Sequence, residues 1–163
     1  MLMKRLRPIA PILLLFGACF AQPHVDRIVV LKTDHKLLLM DGSSVVKSYA
    51  IALGRGGLEA KQVQGDHRTP EGTYRIDSRL QASRFHPALH ISYPNDADRA
   101  RAKSSGADPG GSIMIHGIRN GLGWVGATHR WIDWTDGCIA VTDFAIEEIW
   151  NLVSDGTPVE IRH

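Results

Sequence analysis

Apolar residues cluster in short runs along most of the chain, and each run is closed by a turn signal. Arg27–Leu31 is a β-branched run that predicts a first strand. His35–Met40 predicts a second, reached through Thr33-Asp34 and closed by Asp41-Gly42-Ser43, and Val45–Leu53 predicts a third. Together they read as an antiparallel meander. Gly54-Arg55-Gly56-Gly57 breaks the pattern. No Lys-Ser or Lys-Thr pair and no helical periodicity follow it, which excludes a phosphate-binding loop and leaves a flexible connection as the expectation. Leu58–Arg68 is polar and reads as loop. Thr69-Pro70-Glu71-Gly72 reads as a turn, Pro70 fixing φ and Gly72 permitting a positive one. Thr73–Asp77 and the alternating Leu89–Tyr93 predict two more strands.

Asn95–Ser104 is charged and alanine-rich and predicts a short exposed helix, followed by a loop at Gly106–Gly111. Ser112–His116 predicts a buried strand with the histidine at its C-terminal end. Gly117–Thr135 carries three tryptophans among glycines and reads as a flap, with Trp124, Trp131 and Trp134 available either as cleft wall or as ordinary packing. Thr142 or Asp143 can cap a helix whose Phe144, Ile146, Ile149, Trp150 and Val153 are spaced for one buried face. Gly156 is expected at its C′ position with Pro158 beyond, and Val159–Ile161 predicts a last strand. Many short strands and one or two short helices imply a mainly β fold, sandwich or barrel-like.

The first 21 residues follow a different logic. Lys4, Arg5 and Arg7 precede an apolar Ile9–Phe16, and Ala21 ends a small-residue site, so residues 1–21 are expected to be an export signal cleaved before Gln22. The apolar run is too short for a stable membrane span. Lipidation of Cys19 is the alternative, disfavoured because Phe16 replaces the usual aliphatic residue three positions before it. Removing the signal changes the charge balance. The whole chain has 19 basic and 17 acidic residues; without those three cations 16 face 17. The apparent basicity belongs to the signal, and nothing is left to argue for nucleic acid. Residues 22–163 suffice for one domain with a proper core.

Cleavage would also leave a single cysteine, Cys138, in an exported protein, which points to a reactive thiol rather than an internal disulfide. The bland alternative is an inert buried thiol. A thiol is mostly protonated at neutral pH and needs a base, which a neighbouring histidine supplies by taking its proton. Gly137, with no side chain, lets a carbonyl approach the N–H groups of Gly137 and Cys138, a candidate oxyanion site. Of eight histidines, His24 and His163 lie at the ends of the mature chain, and His35, His67 and His90 have no evident partner in the sequence. His86 and His90 are four apart, but Pro87 argues against the helix that metal ligation would need. His116 is the expected base and His129 a second polar group or substrate contact. A zinc site from His116, His129, Asp136 and Cys138 is ranked well below catalysis, so no metal and no cofactor are expected.

Ile115-His116-Gly117 followed by Thr135-Asp136-Gly137-Cys138 resembles the signature of the YkuD-type L,D-transpeptidases, bacterial cell-wall enzymes with a cysteine nucleophile. Thr69-Pro70-Glu71-Gly72-Thr73-Tyr74 is similar to the family's Thr-Pro-x-Gly-x-Tyr/Phe segment, and the likeness spans roughly residues 26–162. It implies a mixed β-sandwich with Cys138 as nucleophile, His116 as proton carrier and the Gly117 carbonyl orienting the imidazole. The implied partner is a peptidoglycan stem peptide, attacked at a dibasic residue, in the periplasm or cell envelope. His129, Asp136, Trp124 and Trp134 are the expected substrate contacts. Two positions depart from the family: Asp136 stands where most members place histidine or lysine, and Ile139-Ala140-Val141-Thr142 replaces a pattern ending Arg-Asn or Arg-Met. Gly-Cys-Ile-Ala-Val-Thr also resembles a branch that hydrolyses peptidoglycan bonds. An L,D-carboxypeptidase or amidase on the same scaffold, and a wall-binding domain without activity, therefore stand beside the transpeptidase. Asp136 is expected to hydrogen-bond to the flap at His129 or Arg130, or else to hold a substrate ammonium. Oligomeric state is left open.

Overall fold

Arg27–Leu31 (β1) lies near the middle of one sheet, and its three interior residues are buried, as expected of a strand covered on both faces. The computed structural model describes residues 23–163; the expected export signal and Cys19 lie outside the described residues. β1 pairs antiparallel with Lys36–Asp41 (β2), which pairs antiparallel with Ser44–Ala50 (β3). On its other side β1 runs parallel to Pro158–Arg162, the last strand, which is antiparallel to Gly72–Leu80 (β4). The sheet continues through Ala88–Ile91 (β5) and Met114–His116 (β6) to the two-residue Ile139–Ala140 (β7). Counting the last strand as β8, the order is β3-β2-β1-β8-β4-β5-β6-β7. Ala52 pairs with Ala140 and Gly54 with Thr135, so the chain leaving one edge of the sheet bridges to the other. The sheet is curled into a half-barrel.

The concave core is aliphatic, with Ile28, Leu37, Leu39, Ile76, Leu89, Ile115, Ile139 and Ile146 essentially without exposure. Three short helices accompany the sheet. Asp96–Ser104 (α1) opens on a reciprocal capping box between Asn95 and Asp98. It is less exposed than its composition suggests: Asp98 is buried, accepting hydrogen bonds from Tyr74 Oη and Arg101. Gly123–Trp131 is a 3₁₀ segment kinked at Gly126. Asp143–Leu152 (α2) packs against β5 and β6, with Thr142 Oγ1 accepting from the Ala145 N–H as its N-cap.

Three expectations are corrected. Phe144 is exposed, because the buried stripe of α2 runs Ala145-Ile146-Ile149-Val153 and Phe144 sits two residues, about 200°, from Ile146. The helix ends at Val153, so Gly156 is not its C′ residue; at φ 85° it forms the turn into β8 and donates its N–H to the Ile76 carbonyl. The Gly54–Gly57 segment is pinned rather than loose. Gly54 N–H donates to Thr69 Oγ1, Arg55 N–H to the Thr135 carbonyl and Gly56 N–H to the His67 carbonyl. A side chain at Gly54 or Gly56 would collide with the carbonyl of His67 or Asp66, so these glycines allow two loops to lie backbone on backbone.

Candidate active site

The short parallel pairing of β6 and β7 sets the site. Ile115 is level with Ile139 and His116 with Ala140, which places Cys138 alongside Met114. Ile115 and Ile139 both point into the core with no exposure. Side chains alternate along a strand, so His116 and Cys138 project from the opposite face, on adjacent strands. They open into one cleft of about 580 Å³, walled by Phe85, Trp134 and the flap residues Arg119 and His129.

Thr135, buried at 3 % exposure, fixes the turn that carries the thiol. Its Oγ1 donates to the Cys138 carbonyl at 2.7 Å and accepts the Gly137 N–H at 3.2 Å. Its own N–H and carbonyl are tied to Leu53 and Arg55. Gly137 is buried at φ 120°, and a Cβ there would press on the Arg68 carbonyl and Ile113. One expectation changes here: the Gly137 N–H is already engaged, which leaves the Cys138 N–H of the two proposed oxyanion donors. The thiol itself donates to the Ser112 carbonyl at 3.6 Å rather than to His116.

His116 is buried, and its Nδ1 donates to the Gly117 carbonyl at 2.6 Å. A carbonyl only accepts, so Nδ1 carries the ring proton and Nε2 keeps a free lone pair. The ring packs against both Phe85 and Trp134, at centroid distances of 4.8 and 5.7 Å, and those two rings also meet each other at 6.0 Å. His129 stands on Trp134 as well, at 6.4 Å. Gly117 is crowded by Asp143 and His86, so no side chain fits where the chain leaves His116. Asp143 Oδ1 also accepts the Ile118 N–H at 2.7 Å, anchoring the start of the flap to the first residue of α2.

Electrostatics favour a neutral resting pair rather than a thiolate–imidazolium pair. Burial pushes the Cys138 thiol up; the Asp136 charge adds to this, while a Met114 backbone hydrogen bond and Lys61 oppose it. Burial pushes the His116 imidazole down; the Gly117 hydrogen bond opposes this, while His129 reinforces it. Burial and then Arg130 likewise lower His129, against Asp143.

Of the expected substrate contacts, His129, Trp134 and Asp136 line the cleft. Trp124 does not join its wall and is 82 % exposed. Asp136 meets neither His129 nor Arg130: it pairs with Arg55 and His67, each at 2.9 Å, on the pinned glycine loop. Histidines without evident partners in the sequence have them in space. His35 meets Asp133 at 3.0 Å, His67 meets Asp136 at 2.9 Å, and His90 meets Asp77 at 2.5 Å; His86, weighed with His90 as a metal ligand, instead meets Glu147 at 2.7 Å. Those at the chain ends pair as well, His24 with Asp41 and His163 with Glu71. Among the described residues no group of three or more His, Cys, Asp or Glu side chains could hold a metal ion. Sequence reasoning missed Phe85, Thr135, Asp143 and Asp133, whose Oδ1 accepts the Leu53 N–H at 2.7 Å. Only the Thr-Asp-Gly-Cys spacing carried any signal for them, and it marked Thr135 alone.

Residues 25–161 match the sequence model of the YkuD family, the L,D-transpeptidase catalytic domain. The chain belongs to this family. A curated relative, "Putative L,D-transpeptidase YafK" of Escherichia coli (strain K12), is 34 % identical over 112 residues, covering 68 % of this chain and 38 % of the relative. The chain thus spans well under half the length of the curated relatives it matches. Among solved structures, the helical cell shape determining protein Pgp2 from Campylobacter jejuni superposes with a TM-score of 0.62 at 22 % identity, over 85 % of this chain and 48 % of that one. An L,D-transpeptidase from Xylanimonas cellulosilytica does so with a TM-score of 0.58 at 15 % identity, over 86 % and 62 %. At these identities the structures establish the shared YkuD fold.

Proposed function

We propose that this chain is an exported peptidoglycan L,D-transpeptidase with Cys138 as nucleophile. The observation that carries the reading is the pairing of Cys138 and His116 on one face of β6 and β7, with the His116 Nδ1 proton held by Gly117 and Nε2 left free. The thiol turns from Ser112, its sulfur attacks the carbonyl carbon of a dibasic stem residue, and its proton passes to His116 Nε2. Because thiol and imidazole are both neutral at rest, proton transfer accompanies attack. The Cys138 N–H faces the oxyanion, a donor worth about 3 kcal/mol of barrier in comparable sites. The C–N bond then breaks, the leaving amine takes the proton from His116, and a thioester remains. An incoming amine attacks the thioester, gives a proton to His116, and releases the sulfur, which recovers it.

Water in place of the amine makes the same scaffold a carboxypeptidase or amidase. One observation favours this second reading: Ile139 and Ala140, directly after the thiol, are fully buried in β7, so neither offers a side chain to an acceptor. Export rests on the Lys4/Arg5/Arg7 and Ile9–Phe16 pattern and places the activity in the periplasm or cell envelope.

Mass spectrometry of muropeptides incubated with the mature protein tests the reading. Transfer yields cross-linked or exchanged products; hydrolysis yields truncated products that have gained water. Muropeptides left unchanged, or changed equally by Cys138→Ala, would remove it.

A further inference from the structure

β6 ends at His116, and the next two peptide groups carry the chain off the sheet into the flap. The first, 116–117, is held by backbone on both sides. The His116 carbonyl accepts the Val141 N–H at 2.9 Å, and the Gly117 N–H donates to the Phe85 carbonyl at 3.0 Å. The second, 117–118, has no backbone partner among the described residues. Its carbonyl accepts from His116 Nδ1 at 2.6 Å, and its N–H donates to Asp143 Oδ1 at 2.7 Å. The peptide group that orients the imidazole is therefore itself oriented by one carboxylate.

The surroundings of Asp143 fit that role. It is the first residue of α2, where the helix dipole favours a negative charge. A Cβ at Gly117 would collide with its Oδ1 and one at Gly123 with its Oδ2, so both glycines leave the carboxylate its room. His116 Nδ1 bonds to the peptide and not to the carboxylate. A charged acceptor on the N–H end of a peptide group polarises it and strengthens the acceptor at the other end. The charge of Asp143 thus bears on His116 through one peptide group, and most strongly when the ring is a cation.

We propose that Asp143 is a positioning residue for His116: through the Gly117–Ile118 peptide group it holds the imidazole in the Nδ1-protonated tautomer and stabilises the imidazolium formed when Nε2 takes the thiol proton. The proposal rests on the acyl-transfer reading for the base role of His116; the chain of hydrogen bonds does not.

The two are read separately on the mature protein. Two-bond proton–nitrogen NMR spectra of the His116 ring report its tautomer without turnover, and muropeptide turnover reports kcat and KM. Asp143→Ala should populate both tautomers and lower kcat roughly 10–100-fold with KM little changed. Asp143→Asn keeps an oxygen to accept the Ile118 N–H, so it should keep the single tautomer and recover most of kcat. Gly123→Ala should act in the same direction as Asp143→Ala, since its Cβ displaces the carboxylate while Asp143 stays at the start of α2. Where Asp143→Ala fails to fold, that variant alone decides. Asp143→Ala should also slow Cys138 alkylation by iodoacetamide at neutral pH, and should no longer do so in a His116→Ala background. A single tautomer retained in both Asp143→Ala and Gly123→Ala, a loss in KM rather than kcat, or equal slowing in both backgrounds overturns the proposal. Asp143 also lies close enough to His129 to raise its proton affinity. Slowing abolished by His129→Ala and not by His116→Ala would route the effect through His129 and overturn the proposal too. A normal kcat for Asp143→Ala beside losses for Cys138→Ala and His116→Ala would discard the role of Asp143 and leave acyl transfer standing. Wild-type protein that leaves muropeptides unchanged would remove acyl transfer, and the tautomer spectra would still decide whether Asp143 positions the ring.

Discussion

Two groups of buried polar side chains lie in this small domain, and they are satisfied to very different degrees. Beneath the segment 59–72 and α1, every buried polar group has partners. Lys32, with no exposure, donates to the Glu59 and Thr69 carbonyls and to Glu71, at 2.9–3.1 Å. Lys61 donates to the Val63 carbonyl and Asp66, and Asp66 also accepts the N–H groups of Gln62, Val63 and Arg68. In the cleft, His129 and Trp134 Nε1 have no hydrogen-bond partner among the described residues, and burial holds the thiol and imidazole away from their charged forms. An unpaired buried polar group costs about 1–3 kcal/mol, a cost the saturated cluster does not carry. The saturated cluster stabilises the fold; the unsaturated one lines the candidate site.

That division is open to attack from both sides. The largest effect should come from the cleft: Cys138→Ala should lower turnover by at least roughly 10³-fold while changing unfolding free energy by less than about 1 kcal/mol. A large stability loss, or retained activity, would break the distinction. The converse change, Lys32→Met, strands two carbonyls and leaves Glu71 with His163 alone, and should cost about 3 kcal/mol in urea denaturation, with activity per folded molecule unaltered. A loss of activity without a loss of stability would show that this cluster reaches the site.

Acid titration sharpens the comparison further. Burial pushes the Asp66 carboxyl up, but hydrogen bonds from Lys61 and three backbone N–H groups outweigh it and hold its pKa at about 2. A carboxyl depressed in the folded state contributes stability that is complete above its ordinary value near 3.8 and is lost as pH falls through about 2. Stability should therefore decline across that window, and Asp66→Asn should flatten the decline while costing roughly 2 kcal/mol at neutral pH. An unaltered acid limb in the variant would assign the loss to other groups. The smallest effect belongs to Asp136, which is 74 % exposed. Asp136→Asn should shift stability by no more than about 0.5 kcal/mol and move the thiol titration, read from alkylation rate against pH, downward. A thiol that titrates unchanged or higher would remove Asp136 from the electrostatics of the site.

Much of the local structure was legible because short strands announce themselves by β-branched runs and glycine-rich turns. β1, β2 and β8 fall where the apolar runs place them, and the Asn95 capping box fits the composition of α1. Phe144 misled because it is apolar beside a real buried stripe and only the helix rotation excludes it. The glycine loop misled for a different reason. Glycine serves equally for flexibility and for close approach, and composition does not distinguish the two until the opposing His67 and Asp66 carbonyls are in place.

The sequence by itself determined the parts: a thiol directly behind a glycine, a histidine at a strand end, and the motifs that identify the family. These are local, since each depends on residues within a few positions of one another. Only the tertiary structure decided which groups meet. It set Cys138 and His116 on one face through the register of β6 and β7, gave Asp136 to Arg55 and His67, and left the His129 ring nitrogens and Trp134 Nε1 without hydrogen-bond partners among the described residues. Those outcomes depend on chain segments some 20 to 80 positions apart, brought together by burial of an aliphatic core. Burial is non-directional, and the side-chain pairing it enforces is not written in any one stretch of sequence.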